Sequence, residues 1–87
     1  KEKNMLKPEQ VKVGAHVIVL DFDHIIAGNE LNYKEILTMS NAYEIVKCHD
    51  DGKLFYILDN EGDHMAFIQR EYKSFKLLEE PKHEETI

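Results

Sequence analysis

The chain carries a single cysteine, two prolines, no tryptophan and no long apolar run. With Cys48 alone, neither an internal disulfide nor a dithiol redox pair can form, which fits a reducing compartment. No stretch approaches the roughly 18 apolar residues that a membrane-spanning helix needs. Lys1–Gln10 also lacks the apolar core of a secretory signal, so a cytoplasmic location without membrane contact is expected. Basic residues are short too: 11 Lys and Arg face 17 Asp and Glu, a net charge of −6. Non-specific affinity for nucleic acid comes mainly from Lys and Arg displacing condensed counterions. Direct DNA or RNA binding is therefore not expected.

The 87 residues allow one small domain, and a domain near this size buries only roughly 60% of the surface its unfolded chain exposes. Residues 1–7 and 79–87 are polar and charged, and both ends are expected to be flexible, with the domain spanning 8–78. Pro8 opens a Pro-Glu-Gln-Val turn, and Gly14 precedes a Val/Ile-rich strand within Ala15–Leu20. Further along, β-prone Tyr43–His49, the turn Asp50-Asp51-Gly52, apolar Leu54–Leu58, the turn Asn60–Asp63 and Met65–Ile68 read as a meander of three strands. A polar connector, Gln69–Ser74, leads to a closing strand at Phe75–Leu78. Residues 27–42 form a long loop holding a helical turn. Strict alternation is weak, with Ile45 beside Val46 and Ile57 beside Leu58, as in a bent barrel whose strands are partly covered on both faces. The expected fold is all-β, about five antiparallel strands closed into a small barrel.

This order of strand, long loop, strand, short turn, strand, short turn, strand, polar connector and strand resembles the SH3-like barrel. The local wording resembles the small SH3-like proteins of bacteriophages and prophages. Lys7-Pro8-Glu9-Gln10-Val11-Lys12-Val13-Gly14 resembles their opening turn, and Leu37-Thr38-Met39-Ser40-Asn41-Ala42-Tyr43-Glu44-Ile45 partly matches their entry to strand two. Ser40 and Asn41 stand where that family usually has Gly and Lys. The resemblance covers residues 8–78 and concerns structure. It implies a phage- or prophage-type protein acting in the host cytoplasm. The proline-rich peptide groove of a signalling SH3 domain normally uses a tryptophan that this chain lacks, so that ligand class is not expected.

Three chemistries deserve weighing. Val17–His24 is similar to the first motif of haloacid-dehalogenase-type phosphohydrolases, in which a nucleophilic Asp at the end of an apolar strand is followed two residues later by an acid/base Asp. Asp21 and Asp23 would fill those roles. The chain is too short for the doubly wound sheet that motif requires, and no later Lys and acidic pair with helical surroundings follows, so no catalysis is expected. Cys48, His49, His16 and His24 fit no zinc spacing, and adjacent Cys48 and His49 point to opposite faces of a strand. Asp59–Asp63 lacks the rest of a calcium loop. No metal or cofactor is expected.

What remains is an interaction protein, a monomer or weak homodimer, that binds a bacterial protein. Most aromatics belong in the core, with Tyr33 in the long loop and Tyr72 in the connector as the two that stand outside it. The expected partner surface combines these two with an acidic rim of Asp21, Asp23, Glu30, Asp50 and Asp51, the aromatics anchoring and the charges steering. A decoy that mimics nucleic acid would instead need an ordered row of carboxylates. The turns at 50–51 and 59–63 should fall at opposite ends of one strand, with Lys47 and Lys53 interrupting the field.

Overall fold

The structure, a computed structural model, describes residues 5–25 and 33–81, with the backbone alone at Tyr33 and Lys34. It is all-β: β1 is His16–Val19, β2 Ala42–His49, β3 Leu54–Leu58, β4 His64–Ile68 and β5 Phe75–Glu79. One helical turn, α1 (Tyr33–Ile36), lies between β1 and β2, and 3-10 turns stand at Pro8–Gln10 and Gln69–Ser74. The strands form one antiparallel sheet in the order β4-β3-β2-β1-β5.

The eight residues of β2 let it serve two neighbours. Its first half lies along β1, with Tyr43 opposite Val17, and its second half along β3, with Cys48 opposite Phe55. Register slips between Ile45 and Lys47. Val46 is thus a bulge residue, and such an insertion bends the strand. The bulge explains why Ile45 and Val46 sit side by side. The second adjacent pair has a different cause: Ile57 is fully buried whereas Leu58 is 40% exposed on the outer face. Neither pair reflects a strand covered on both sides.

The hydrogen-bonded sheet is open, with β4 and β5 as its edges, where a closed barrel was expected. The chain passes from β4 to β5 through the six residues of the Gln69–Ser74 turn, and side chains rather than ladder bonds fill that gap. Phe55 is the centre of the filling, with ring centroids 5.5 Å from Phe67, 5.3 Å from Tyr72 and 5.4 Å from Phe75. Val17, Val19, Leu37, Ile45 and Ile57 complete the core.

The folded body begins earlier than expected. Leu6 is buried in the core and its N–H donates to the Phe75 carbonyl at 2.9 Å, so the boundary at residue 8 is corrected. At the other end β5 runs to Glu79, opposite His16. Residues 1–4 and 82–87 lie outside the described part.

Between β2 and β3 the backbone makes a left-handed turn: Asp50, Asp51 and Gly52 have φ of 56°, 58° and 88°. Asp tolerates this region better than most side chains do, and Gly accepts it without strain. At Gly52 there is a second requirement, because a Cβ there would overlap the carbonyl of Pro8. Gly62, in the β3–β4 hairpin, also has a positive φ of 85° but opens onto empty space.

This contrast yields a paired expectation for chemical denaturation. Gly62→Ala should lose about 1 kcal/mol, the cost of a left-handed alanine. Gly52→Ala should lose about 3 kcal/mol or more, because the Pro8 backbone must also move. Equal losses would mean that the Pro8 contact contributes nothing.

Candidate functional site

The loop after β1 is tied down by its own polar groups. Asp21 Oδ1 accepts the Asp23 N–H at 3.0 Å and the Ser74 hydroxyl at 2.8 Å, and Ser74 Oγ in turn accepts the His24 N–H at 3.0 Å. Leu20 N–H donates to the Ser74 carbonyl at 2.7 Å. Ser74 is fully buried, so these bonds satisfy a polar group that would otherwise be costly to enclose. Asp21 is therefore a structural acceptor closing a short turn. Asp23 is exposed.

Tyr72 was expected to stand outside the core as an exposed anchor, and its placement corrects this. It is 1% exposed, packed against Phe55 with the two rings tilted by 46°, and its hydroxyl donates to the Gly52 carbonyl at 2.5 Å. The cause is the 3-10 turn. Instead of a solvated connector, Gln69–Ser74 turns Glu71, Tyr72 and Ser74 inward and leaves Gln69, Arg70 and Lys73 outside. Glu71 Oε1 accepts the Ile68 N–H at 2.8 Å at the start of that turn. Burial, then the neighbouring Cys48 and Glu71, push the Tyr72 hydroxyl well above the ordinary tyrosine range.

Of the concavities beside the Pro8–Gln10 turn, two have Pro8 in their lining. The first, about 520 Å³, runs between that turn and the β2–β3 turn, with Glu9, Asp50 and Asp51 on its wall against Lys12 and with Cys48, His49 and Gly52 beside them. The second, about 340 Å³, has Leu6, Pro8 and Tyr72 at its apolar part and Lys7, His24, Arg70 and Lys73 around it. Both lie in the size range of small ligand sites.

Of the residues expected at the partner surface, Asp50 and Asp51 do stand exposed at a concavity. Asp21 and Asp23 belong to the turn that carries His24 and line neither hollow. Glu30 lies outside the described residues, as does the Tyr33 side chain. Sequence reading missed Glu9, which joins the two aspartates only because the Pro8 turn packs on Gly52. It also missed the cationic group, since Lys7 and Arg70–Lys73 are far apart in sequence. The polar 69–74 stretch held a signal: Glu71, Tyr72 and Ser74 alternate poorly with Arg70 and Lys73 for a strand but suit a 3-10 helix with its period of about three residues.

A third surface is the outer face of β2, β3 and β4. Tyr56 is flanked by His49 and His64, ring centroids 5.9 and 6.4 Å away, with Lys47 Nζ 5.5 Å from its ring centre. Leu58 and Ile68 are exposed on the same face. Among the described residues no group of three or more His, Cys, Asp or Glu side chains is arranged to hold a metal ion.

Comparison with known proteins finds no matching family, no matching curated protein and no matching solved structure.

The buried hydroxyl makes a pH-dependent expectation. The unfolded chain releases a tyrosine proton near pH 10.0, whereas folded Tyr72 keeps its proton above that. Above about pH 10 the unfolded state thus binds fewer protons, and stability falls as pH rises. Tyr72→Phe should cost about 1–2 kcal/mol at neutral pH, because the Gly52 carbonyl loses its donor, and should flatten the alkaline fall. Urea titrations at pH 7 and above pH 10 measure both. An unchanged alkaline slope in the variant would place the titrating group elsewhere.

Proposed function

We propose that this chain is a non-catalytic interaction module of SH3-like build and phage or prophage type, which binds a bacterial protein in the host cytoplasm as a monomer or weak homodimer. Support for the SH3-like build comes from the strand order, the long β1–β2 connection, and a 3-10 turn leading into a last strand that returns to β1. The binding reading is carried by one observation: a left-handed turn, pinned under Pro8, holds Asp50 and Asp51 exposed at the wall of a concavity that also carries Glu9. That geometry suits a basic side chain of a partner protein, whose approach the carboxylates accelerate and orient.

Two rival readings have less support. In the phosphohydrolase motif the nucleophile follows a strand of a parallel, doubly wound sheet. Here β1 is a four-residue antiparallel strand ending at Val19, and the Asp21 carboxylate already accepts two hydrogen bonds. A nucleic-acid decoy needs a continuous acidic row. The acidic turns at 50–51 and 59–63 lie at opposite ends of β3, and Lys47, His49 and His64 occupy the sheet face between them.

The test starts with affinity capture from bacterial lysate, followed by association and dissociation rates for the purified partner at two salt concentrations. Asp50→Asn/Asp51→Asn, which keeps side chains that tolerate the left-handed turn, should slow association several-fold and weaken its salt dependence. Glu61→Gln/Asp63→Asn, at the other pole, should do neither. Pure protein with magnesium should not hydrolyse phosphate esters, and turnover that disappears in Asp21→Asn/Asp23→Asn would overturn the reading. So would equal effects of both acidic pairs together with direct competition by DNA.

A further inference from the structure

The second concavity runs against the charge of the rest of the molecule. In a chain of net charge −6, its surroundings bring together Lys7, Arg70 and Lys73 with the His24 ring, and among the described residues no carboxylate lines it. Lys7 precedes the Pro8–Gln10 turn, His24 sits on the loop that Ser74 holds, and Arg70 and Lys73 are on the outer side of the Gln69–Ser74 turn. These four side chains thus come from three separate segments, each fixed by backbone bonds or burial. Among the described residues none of the three fixed cations has a carboxylate within ion-pair distance. Arg70 is the chain's one arginine, and a guanidinium can take a carboxylate through two parallel hydrogen bonds. Leu6, Pro8 and the Tyr72 ring give the hollow an apolar part.

We propose that this concavity is a binding site for an acidic peptide segment of a partner protein, one that places one or two carboxylate side chains against Arg70, Lys73 and Lys7 and a neighbouring apolar side chain against Pro8 and Tyr72. Charge complementarity argues for the carboxylates, and the apolar part argues for a peptide over a bare anion. Its volume, about 340 Å³, takes two or three side chains. A nucleic-acid strand would extend past this patch onto acidic surface that repels phosphate. The site does not depend on the acidic concavity across Pro8.

The test is calorimetric titration of the full chain at low salt with the capped peptide Glu-Glu-Leu-Glu-Glu, with its Gln-for-Glu counterpart, and with a ten-nucleotide single-stranded DNA. The acidic peptide should bind, and the amide and DNA probes should bind at least tenfold more weakly. Arg70→Glu/Lys73→Glu should weaken peptide binding at least tenfold, while Lys47→Glu/Lys53→Glu, the same charge change elsewhere, should alter it less than threefold. Asp50→Asn/Asp51→Asn should leave it intact, which separates failure of this site from failure of the acidic one. Thermal melts confirm that each variant is folded. Absence of peptide binding at millimolar concentration, equal losses in the two Lys/Arg variants, or tighter binding of the DNA would each overturn the proposal.

Discussion

The approach of the Pro8 carbonyl to Gly52 is the constraint on which the rest of this surface depends. It permits no side chain at Gly52, and the Tyr72 hydroxyl closes the arrangement from inside by donating to the Gly52 carbonyl. Three segments distant in sequence meet there: the turn before β1, the turn between β2 and β3, and the 3-10 turn before β5. None of them pairs as a strand at that point, so a backbone contact and one buried hydrogen bond do what a ladder does elsewhere. The open sheet makes this necessary, since β4 and β5 are not joined by hydrogen bonds and the gap must be held by packing around Phe55 and Tyr72.

The same contact organises the surface by charge. The Pro8–Gln10 turn separates a hollow with three carboxylates from one with three fixed cations. Opposed charges on one flexible surface would collapse onto each other or be screened by salt. Here the walls are fixed by burial of Leu6, Val11, Tyr72 and Ser74, so the fields stay separate. Preorganisation of this kind reduces the ordering cost that binding would otherwise carry.

Much of the strand layout was legible in the sequence. Glycine- and aspartate-bearing turns bounded β2, β3 and β4 within a residue or two, and α1 fell in the loop where a helical turn was expected. Local chemistry decides such features, because turn residues and β-branched runs act over a few positions. The bulge at Val46 was visible only as a broken alternation, which has more than one physical cause. Tyr72 and Leu6 were misplaced for a different reason. Their neighbours are polar, and what buries them is contact with Gly52 and Phe75, far away in the chain. Composition around a residue reports solvation of the segment, and a 3-10 turn can present one side to the core while the other stays wet. The candidate site was the least legible part: the exposure of Asp50 and Asp51 could be read from their turn, but the proximity of Glu9 and the grouping of Lys7 with Arg70 and Lys73 follow from the tertiary contact alone.

Native-state amide hydrogen exchange tests that central contact most directly. The Val11 N–H is bonded to the Pro8 carbonyl at 3.0 Å and the Lys53 N–H to the Asp50 carbonyl at 3.1 Å, and both lie in turns that would ordinarily open locally. If the Pro8, Gly52 and Tyr72 contact joins these turns to the core, the two amides should exchange with an opening free energy close to that of Ile45 and Ile57, and only through global unfolding. Fast exchange at Val11 and Lys53, with Ile45 and Ile57 still protected, would contradict the account by showing that the turns open independently of the sheet.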